Sequence, residues 1–268
     1  MRSAARHSGY LLSKDRFTWM LRAHPNELMK IVLDRAWLQV ADLSLTDPHS
    51  DLVRIAQTFG LPIPYNGSGA SPCIELSNSA STPEAERNKA VEWHQDDIHT
   101  PAPASFTMLY CLEAPLHPPA TLMADLAGAF HDLAESAKKR LDGLLVRHDP
   151  LGGVVESEGE TRGRLGHQRG EGLVVHPLVL QHPRTAVPQL FGLAGTAAGI
   201  MGKPDEEARQ ILRELKAHVT GAEYLTQVRL TAGSLVIFDN LALLHAATPL
   251  RYSDRDMERR RLLRVSVR

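Results

Sequence analysis

The segment "VEWHQDDIHT", residues 91–100, places His94, Asp96, Asp97 and His99 within a few positions of one another. In an extended chain side chains alternate, so His94 and Asp96 share one side while Asp97 points to the other. One imidazole and one carboxylate on the same side are two ligands for a single ion. Two ligands hold a metal poorly, so a third must come from elsewhere in the chain. His245, at the end of the apolar run "FDNLALLHAATP", is the candidate; its bland alternative is a satisfied core or surface histidine. Two histidines and one carboxylate leave neighbouring coordination positions open, which suits a non-haem Fe(II) oxygenase. Zinc accepts the same donors for hydrolysis, so the ligand types alone leave both chemistries open.

A second feature follows at a useful distance. In "RRRLLRVSVR" strand alternation puts Arg260 and Arg264 on one face with Leu262 and Ser266, and Arg261, Leu263, Val265 and Val267 on the other. Two guanidinium groups beside a metal would form an anion pocket, because Arg grips carboxylates bidentately and stays charged. A basic edge strand that deters aggregation is the competing explanation. Downstream of a candidate metal histidine, the pocket is favoured.

The elements around these residues are mixed. Residues 26–43 read as a short helix followed by a strand. Residues 50–62 carry Leu52, Val53, Ile55, Ala56 and Phe59 near helical spacing, stopped by Gly60 and Pro62. "CIELS" and "ASFTMLYCLEAP" are strand-like, whereas residues 124–144 show helical spacing and predict one helix. Residues 149–171 are rich in Gly, Glu and Arg and predict a mobile loop or lid. Residues 173–183 predict a strand, residues 204–219 a helix with proline and acids in its first turn, and the two C-terminal segments β structure. Short strands interrupted by helices fit a β-sandwich or jelly roll with helical insertions better than an alternating βαβ fold.

Bulk properties narrow the class. The 268 residues are expected to form one domain, 1–268, with 43% hydrophobic residues for its core. The net charge, 30 − 31 = −1, argues against general attraction to nucleic acid or an anionic membrane. Cys73 and Cys111 make no disulfide framework, and the N-terminal stretch lacks the apolar run of a signal peptide, so the cytoplasm is the expected location. No stretch approaches the ~20 apolar residues of a membrane helix.

The order "WHQDD", "APASFTMLYCLEAP", "ATLMADLAGAFHDL", "VVHPLVLQHP", "GSLVIFDNLALLHAATP" and "RRRLLRVSV" resembles the taurine dioxygenase (TauD) family of Fe(II)/2-oxoglutarate-dependent dioxygenases. The likeness runs from about residue 30 to the C-terminus. It implies a mainly β fold with a double-stranded β-helix (jelly-roll) core, and Fe(II) held by His94, Asp96 and His245. By the same resemblance Thr121 and Arg260 would bind the far carboxylate of 2-oxoglutarate, and Arg264 would reach cosubstrate or substrate. O2 would be the oxidant, with succinate and CO2 released as an unactivated C–H bond of a small anionic or zwitterionic molecule is hydroxylated. Asp96 points away from halogenation, since halogenating relatives replace this carboxylate. Two departures stand out: Pro118, Pro119 and Ala120 replace the family's Gly-Gly-Asp before the threonine, and no histidine matches the sulfonate contact of taurine-using members. The rivals are a zinc hydrolase with the same triad, which leaves Thr121 and the arginines idle, and a non-catalytic jelly-roll binding protein. A homo-oligomer is compatible with all three.

Overall fold

Apolar residues fill both faces of the central strands, so those strands must lie between two layers. In "FTMLYCLE" (β4, Phe106–Glu113) and "LVIFD" (β12, Leu235–Asp239) nearly every residue is buried. The structure, a computed structural model, describes residues 9–65, 71–82, 91–149 and 174–268. Within them β12 and β4 pair antiparallel at the middle of a six-stranded sheet. Its remaining strands are β1 (Tyr10–Leu12), β2 (Trp37–Val40), β14 (Arg261–Val267) and β3 (Ile74–Ser77), in the order β1-β2-β12-β4-β14-β3.

One face of this sheet is covered by helices α1 (Lys14–Ala23), α2 (Pro25–Arg35) and α3 (Pro48–Gln57). Helix α3 starts cleanly because Asp47 accepts from the Ser50 backbone NH and Pro48 occupies the first turn. Its Leu52, Ile55 and Ala56 meet Met108, Leu263, Val265 and Val267 in one core. The other face meets a three-stranded sheet, β11 (Leu225–Arg229), β5 (Ala120–Asp125) and β13 (Leu243–Ala247), in that order. Between the sheets, Leu109, Cys111, Val236, Phe238 and Leu262 pack against Met123, Val228 and Leu243. A second three-stranded sheet, from β6 (Leu145–His148), β7 (Val174–Pro177) and β10 (Ala197–Ile200), belongs to a separate cluster with α6 (Asp205–Val219).

Three sequence expectations are corrected. Residues 124–144 are not one helix: β5 runs to Asp125, whose carboxylate caps α4 (Leu126–Asp132), and α5 (Glu135–Leu141) follows a break at Leu133–Ala134. Residues 173–183 are not one strand either. The chain bends at Leu178, leaving β7 in one sheet and β8 (Val179–Gln181) paired with β9 (Pro188–Leu190) in another. The run ending at His245 is two strands, because Asn240–Ala242 carries it from the larger sheet to the smaller one. The expected lid at 149–171 lies outside the described residues, apart from Asp149. Among the described residues no helix is long and apolar enough to cross a membrane, and Cys73 and Cys111 are free and buried.

Candidate active site

Two backbone hydrogen bonds join the halves of the site. The His94 NH donates to the His245 carbonyl at 2.8 Å, and the His245 NH donates to the His94 carbonyl at 2.9 Å. His245 also pairs with Met123 of β5, so His94 is laid along the free edge of β13. Their rings lie 4.2 Å apart between centroids. Asp96 stands between them, with Oδ1 3.9 Å from His94 Nε2 and Oδ2 4.0 Å from His245 Nε2. One donor atom from each of the three lies within 4.8 Å of the others. These separations exceed hydrogen-bond length and leave space for an ion among three donors. The expected ligand set is therefore brought together, although it is separated by some 150 residues of chain.

Several contacts aim the donors. His94 Nδ1 lies 2.7 Å from the Glu92 carbonyl, which can only accept; Nδ1 therefore carries the proton and Nε2 keeps its lone pair for a metal. His245 is buried, and burial together with nearby His94 lowers its pKa to about 3. A neutral imidazole is the form that ligates. Burial raises the Asp96 pKa, but Arg264, His245 and His94 outweigh it and hold the carboxyl well below the usual range. Thr107 donates to Asp96 Oδ2 at 2.5 Å and lies 3.1 Å from Ser266 Oγ. Arg264 donates to Asp96 Oδ1 at 3.0 Å. Both carboxylate oxygens are thus held from outside the triad.

The backbone around Asp96 is clamped by Asn240. Its Oδ1 accepts from the Asp96 NH at 2.7 Å, and its Nδ2 donates to the carbonyls of Asp96 and Ala104 at 3.0 and 2.8 Å. Gln95 reaches back to the carbonyls of Asn240 and Leu241. The turn that delivers His245 therefore grips the segment that delivers Asp96. Asp239 closes the same turn, its Oδ1 accepting from the Leu241 and Ala242 NH groups while Oδ2 faces buried His182 Nε2 at 3.1 Å. Asn240→Ala should strand two buried backbone groups, the Asp96 NH and the Ala104 carbonyl, each costing about 1–3 kcal/mol, and leave the Asp96 carbonyl with only the Ala104 NH. We expect a lower urea midpoint and metal affinity weakened about 10–100-fold, as for other groups that orient a ligand. Paired urea titrations and metal competition assays check both.

The arginines sort themselves by their partners. Arg261 donates to both oxygens of Glu75 and to Glu113, and Arg259 lies 3.5 Å from Glu113. Arg264 is taken by Asp96. Arg260 alone of the four has a guanidinium without a hydrogen bond or ion pair to any described residue. The residue is half-buried, and the protein around the guanidinium lowers its pKa by desolvation. A cation so placed fits an anionic ligand. Thr121 is buried on β5, beside Val228 of β11 and Ala247 of β13; its hydroxyl has no hydrogen-bond partner among the described residues.

A pocket of about 270 Å³ opens beside the triad, lined by Tyr65, Trp93, Asp97, His99, Thr196 and Arg264 among others. His99 thus faces the pocket, and Trp93 does so while also packing against the core of the smaller sheet. His176 is structural, its Nε2 within 3.0 Å of the Ile98 and Thr100 carbonyls. Sequence reasoning passed over Thr107 and Ser266. Their signal was present: each is a small polar residue at a buried position flanked by apolar residues in its strand.

The family described as "Taurine catabolism dioxygenase TauD, TfdA family" matches residues 14–266. The chain belongs to this family. It is 29% identical over 237 residues to the alpha-ketoglutarate-dependent dioxygenase cnsM of Penicillium expansum, covering 83% of this chain and 66% of that protein. To the alpha-ketoglutarate-dependent 2,4-dichlorophenoxyacetate dioxygenase of a Burkholderia species (strain RASC) it is 31% identical, over 57% of this chain and 51% of that protein. The chain thus matches between half and two thirds of these relatives' lengths. Among solved structures, AAD-2 in complex with Mn(II) and N-oxalylglycine superposes with a TM-score of 0.74 at 23% identity, over 92% of this chain and 87% of that one. This last likeness establishes a shared mostly β fold with helices.

Proposed function

We propose that this single-domain chain is an Fe(II)- and 2-oxoglutarate-dependent dioxygenase that hydroxylates a C–H bond of a small molecule. The observation that carries this reading is the convergence of the His94 and His245 imidazoles on the Asp96 carboxylate, with a pocket open beside them. Family membership supports it, as do relatives named for the same cosubstrate. We read the two facing sheets as the halves of a double-stranded β-helix, with the triad at one mouth.

His94 Nε2, one oxygen of Asp96 and His245 Nε2 would hold the metal. Bound there with 2-oxoglutarate, Fe(II) supplies dioxygen activation coupled to oxidative decarboxylation of the cosubstrate. The protein's share is to hold and orient. Arg260 and Thr121 would anchor the far carboxylate of 2-oxoglutarate, and Thr107 and Arg264 fix the plane of the Asp96 carboxylate. Trp93, Ile98 and Ala194 give the pocket apolar surface that turns water away from the reacting centre. A zinc hydrolase would use the same triad but gives Arg260 and Thr121 nothing to do.

Anaerobic addition of Fe(II) and 2-oxoglutarate to metal-free protein is expected to give the weak visible charge-transfer band of the chelate. Admission of O2 should then release succinate. Folded, metal-loaded protein that shows neither band nor succinate would end this reading.

A further inference from the structure

Abundant arginines near the C-terminus suggest an anionic substrate, but their placement changes the inference. Arg259 and Arg261 are bound to surface carboxylates, Arg264 is bound to Asp96, and Arg260 is reserved for the cosubstrate in the reading above. Arg264 is the only Lys or Arg among the described residues that line the pocket, and it already has a carboxylate partner. The same wall presents Asp97 and Glu92.

Asp97 is half-buried; its backbone carbonyl accepts from Thr100, but its carboxylate makes no hydrogen bond or ion pair with any described residue. Its φ is +58°, a left-handed conformation that Asp tolerates better than most residues but that still departs from an extended strand. That rotation turns the chain straight after Asp96. Both residues border the pocket, Asp96 as a buried member of the triad and Asp97 from a half-buried position. Aromatic Trp93 and Tyr65 share that pocket. An unpartnered carboxylate with aromatic surface nearby is the recognition chemistry of an organic cation.

Charge counting agrees within the proposed dioxygenase reading. Asp96, a divalent metal, doubly charged 2-oxoglutarate and Arg260 sum to zero. Among the described pocket residues, the charges of Arg264 and Asp97 cancel. The described pocket thus holds no surplus positive charge for a purely anionic substrate, and the Asp97 carboxylate is available to a positive group.

We propose that Asp97 is a specificity-determining residue that receives the protonated amine of the substrate, the apolar part of which lies along Trp93 and Ile98. The proposal deepens the dioxygenase reading and rests on it for the placement of Arg260.

The test uses the whole protein and probes matched in carbon skeleton: primary amines from butylamine to 3-phenylpropylamine, and the corresponding carboxylates. Calorimetry on both metal-free protein and protein loaded with Fe(II) and 2-oxoglutarate reads binding without relying on turnover. At least one amine is expected to bind about tenfold or more tightly than its matched carboxylate. Asp97→Asn should remove that preference while the chelate band and thermal midpoint stay in place. If no amine in the series outbinds its carboxylate, or if Asp97→Asn leaves the preference intact, the proposal is overturned. A preference for carboxylates would instead align the pocket with the relative named for 2,4-dichlorophenoxyacetate. Failure of the chelate band is a separate result that strikes the dioxygenase reading alone, because amine binding is also measured without metal.

Discussion

His245→Ala protein, given Fe(II) and 2-oxoglutarate without oxygen, is expected to show no chelate band, and its succinate formation should fall about 10³-fold or more. The magnitude follows from what is removed. Groups that merely orient a metal ligand cost 10–100-fold in affinity or activity when lost, and His245 would be a ligand itself. The fold should survive. The hydrogen bonds that tie His245 to His94 are made by backbone atoms and remain in the alanine variant. The side chain removed has no hydrogen bond at Nδ1 among the described residues, so no buried partner is left stranded. Far-UV circular dichroism and the urea midpoint should therefore stay close to the parent values while the spectroscopic signal disappears. Retention of the band would show that the third ligand lies elsewhere.

Asp96→Asn is the informative companion. It preserves volume and can still accept from Thr107, but it removes the negative charge facing Arg264 and two imidazoles. The pair of variants separates the loss of a donor atom from the loss of charge at nearly constant shape.

The triad was legible in the sequence because metal chemistry needs particular residue types, and His-x-Asp with a distant buried histidine is a sparse pattern. How the three residues are held together was legible only in part: Asp239 and Asn240, just before His245, are expected to brace its strand, but the partners they grip could not be read. Asn240 reads as one polar residue in a turn, yet its side chain bonds to residues more than 130 positions away. Nothing local announces such a contact. The break of residues 124–144 into strand and two helices was hidden for a related reason. Leu126, Phe130, Leu133 and Leu141 keep helical spacing, but strand pairing takes Ala124 and Asp125, and extended backbone at Leu133 and Ala134 splits the rest into two helices. Asp125 then caps the helix that begins after it. Strand β11, "LTQVR", is an edge strand with one buried residue, Val228, so it carries too little apolar alternation to be seen. Expectations drawn from spacing thus held where an element packs on one face and failed where cross-strand pairing decided the conformation.

Strand alternation favours Arg260 within a run of three arginines, and partner chemistry makes that choice testable. Arg260→Leu is expected to raise the KM for 2-oxoglutarate about 10²–10³-fold, while kcat at saturating cosubstrate changes much less. Truncating one side of an enclosed charge pair costs roughly 3–4 kcal/mol, and each 1.36 kcal/mol is tenfold. Arg261→Leu should leave that KM unchanged, because its guanidinium is occupied by Glu75 and Glu113 at the partly exposed sheet edge. Its cost should be about 1 kcal/mol or less of stability, as for other exposed pairs. The two variants should also differ in the absence of cosubstrate. Without a protein anion beside it, Arg260 is a desolvated charge, so its replacement by leucine should leave the thermal midpoint of cosubstrate-free protein unchanged or raise it. What Arg260→Leu should lose is the extra stabilisation that 2-oxoglutarate gives by binding only the folded state. A structural role for Arg260 would reverse this pattern, lowering the midpoint of cosubstrate-free protein and leaving the 2-oxoglutarate shift intact. Thermal melts of both variants with and without 2-oxoglutarate, alongside KM measurements, distinguish an anchoring guanidinium from a bracing one.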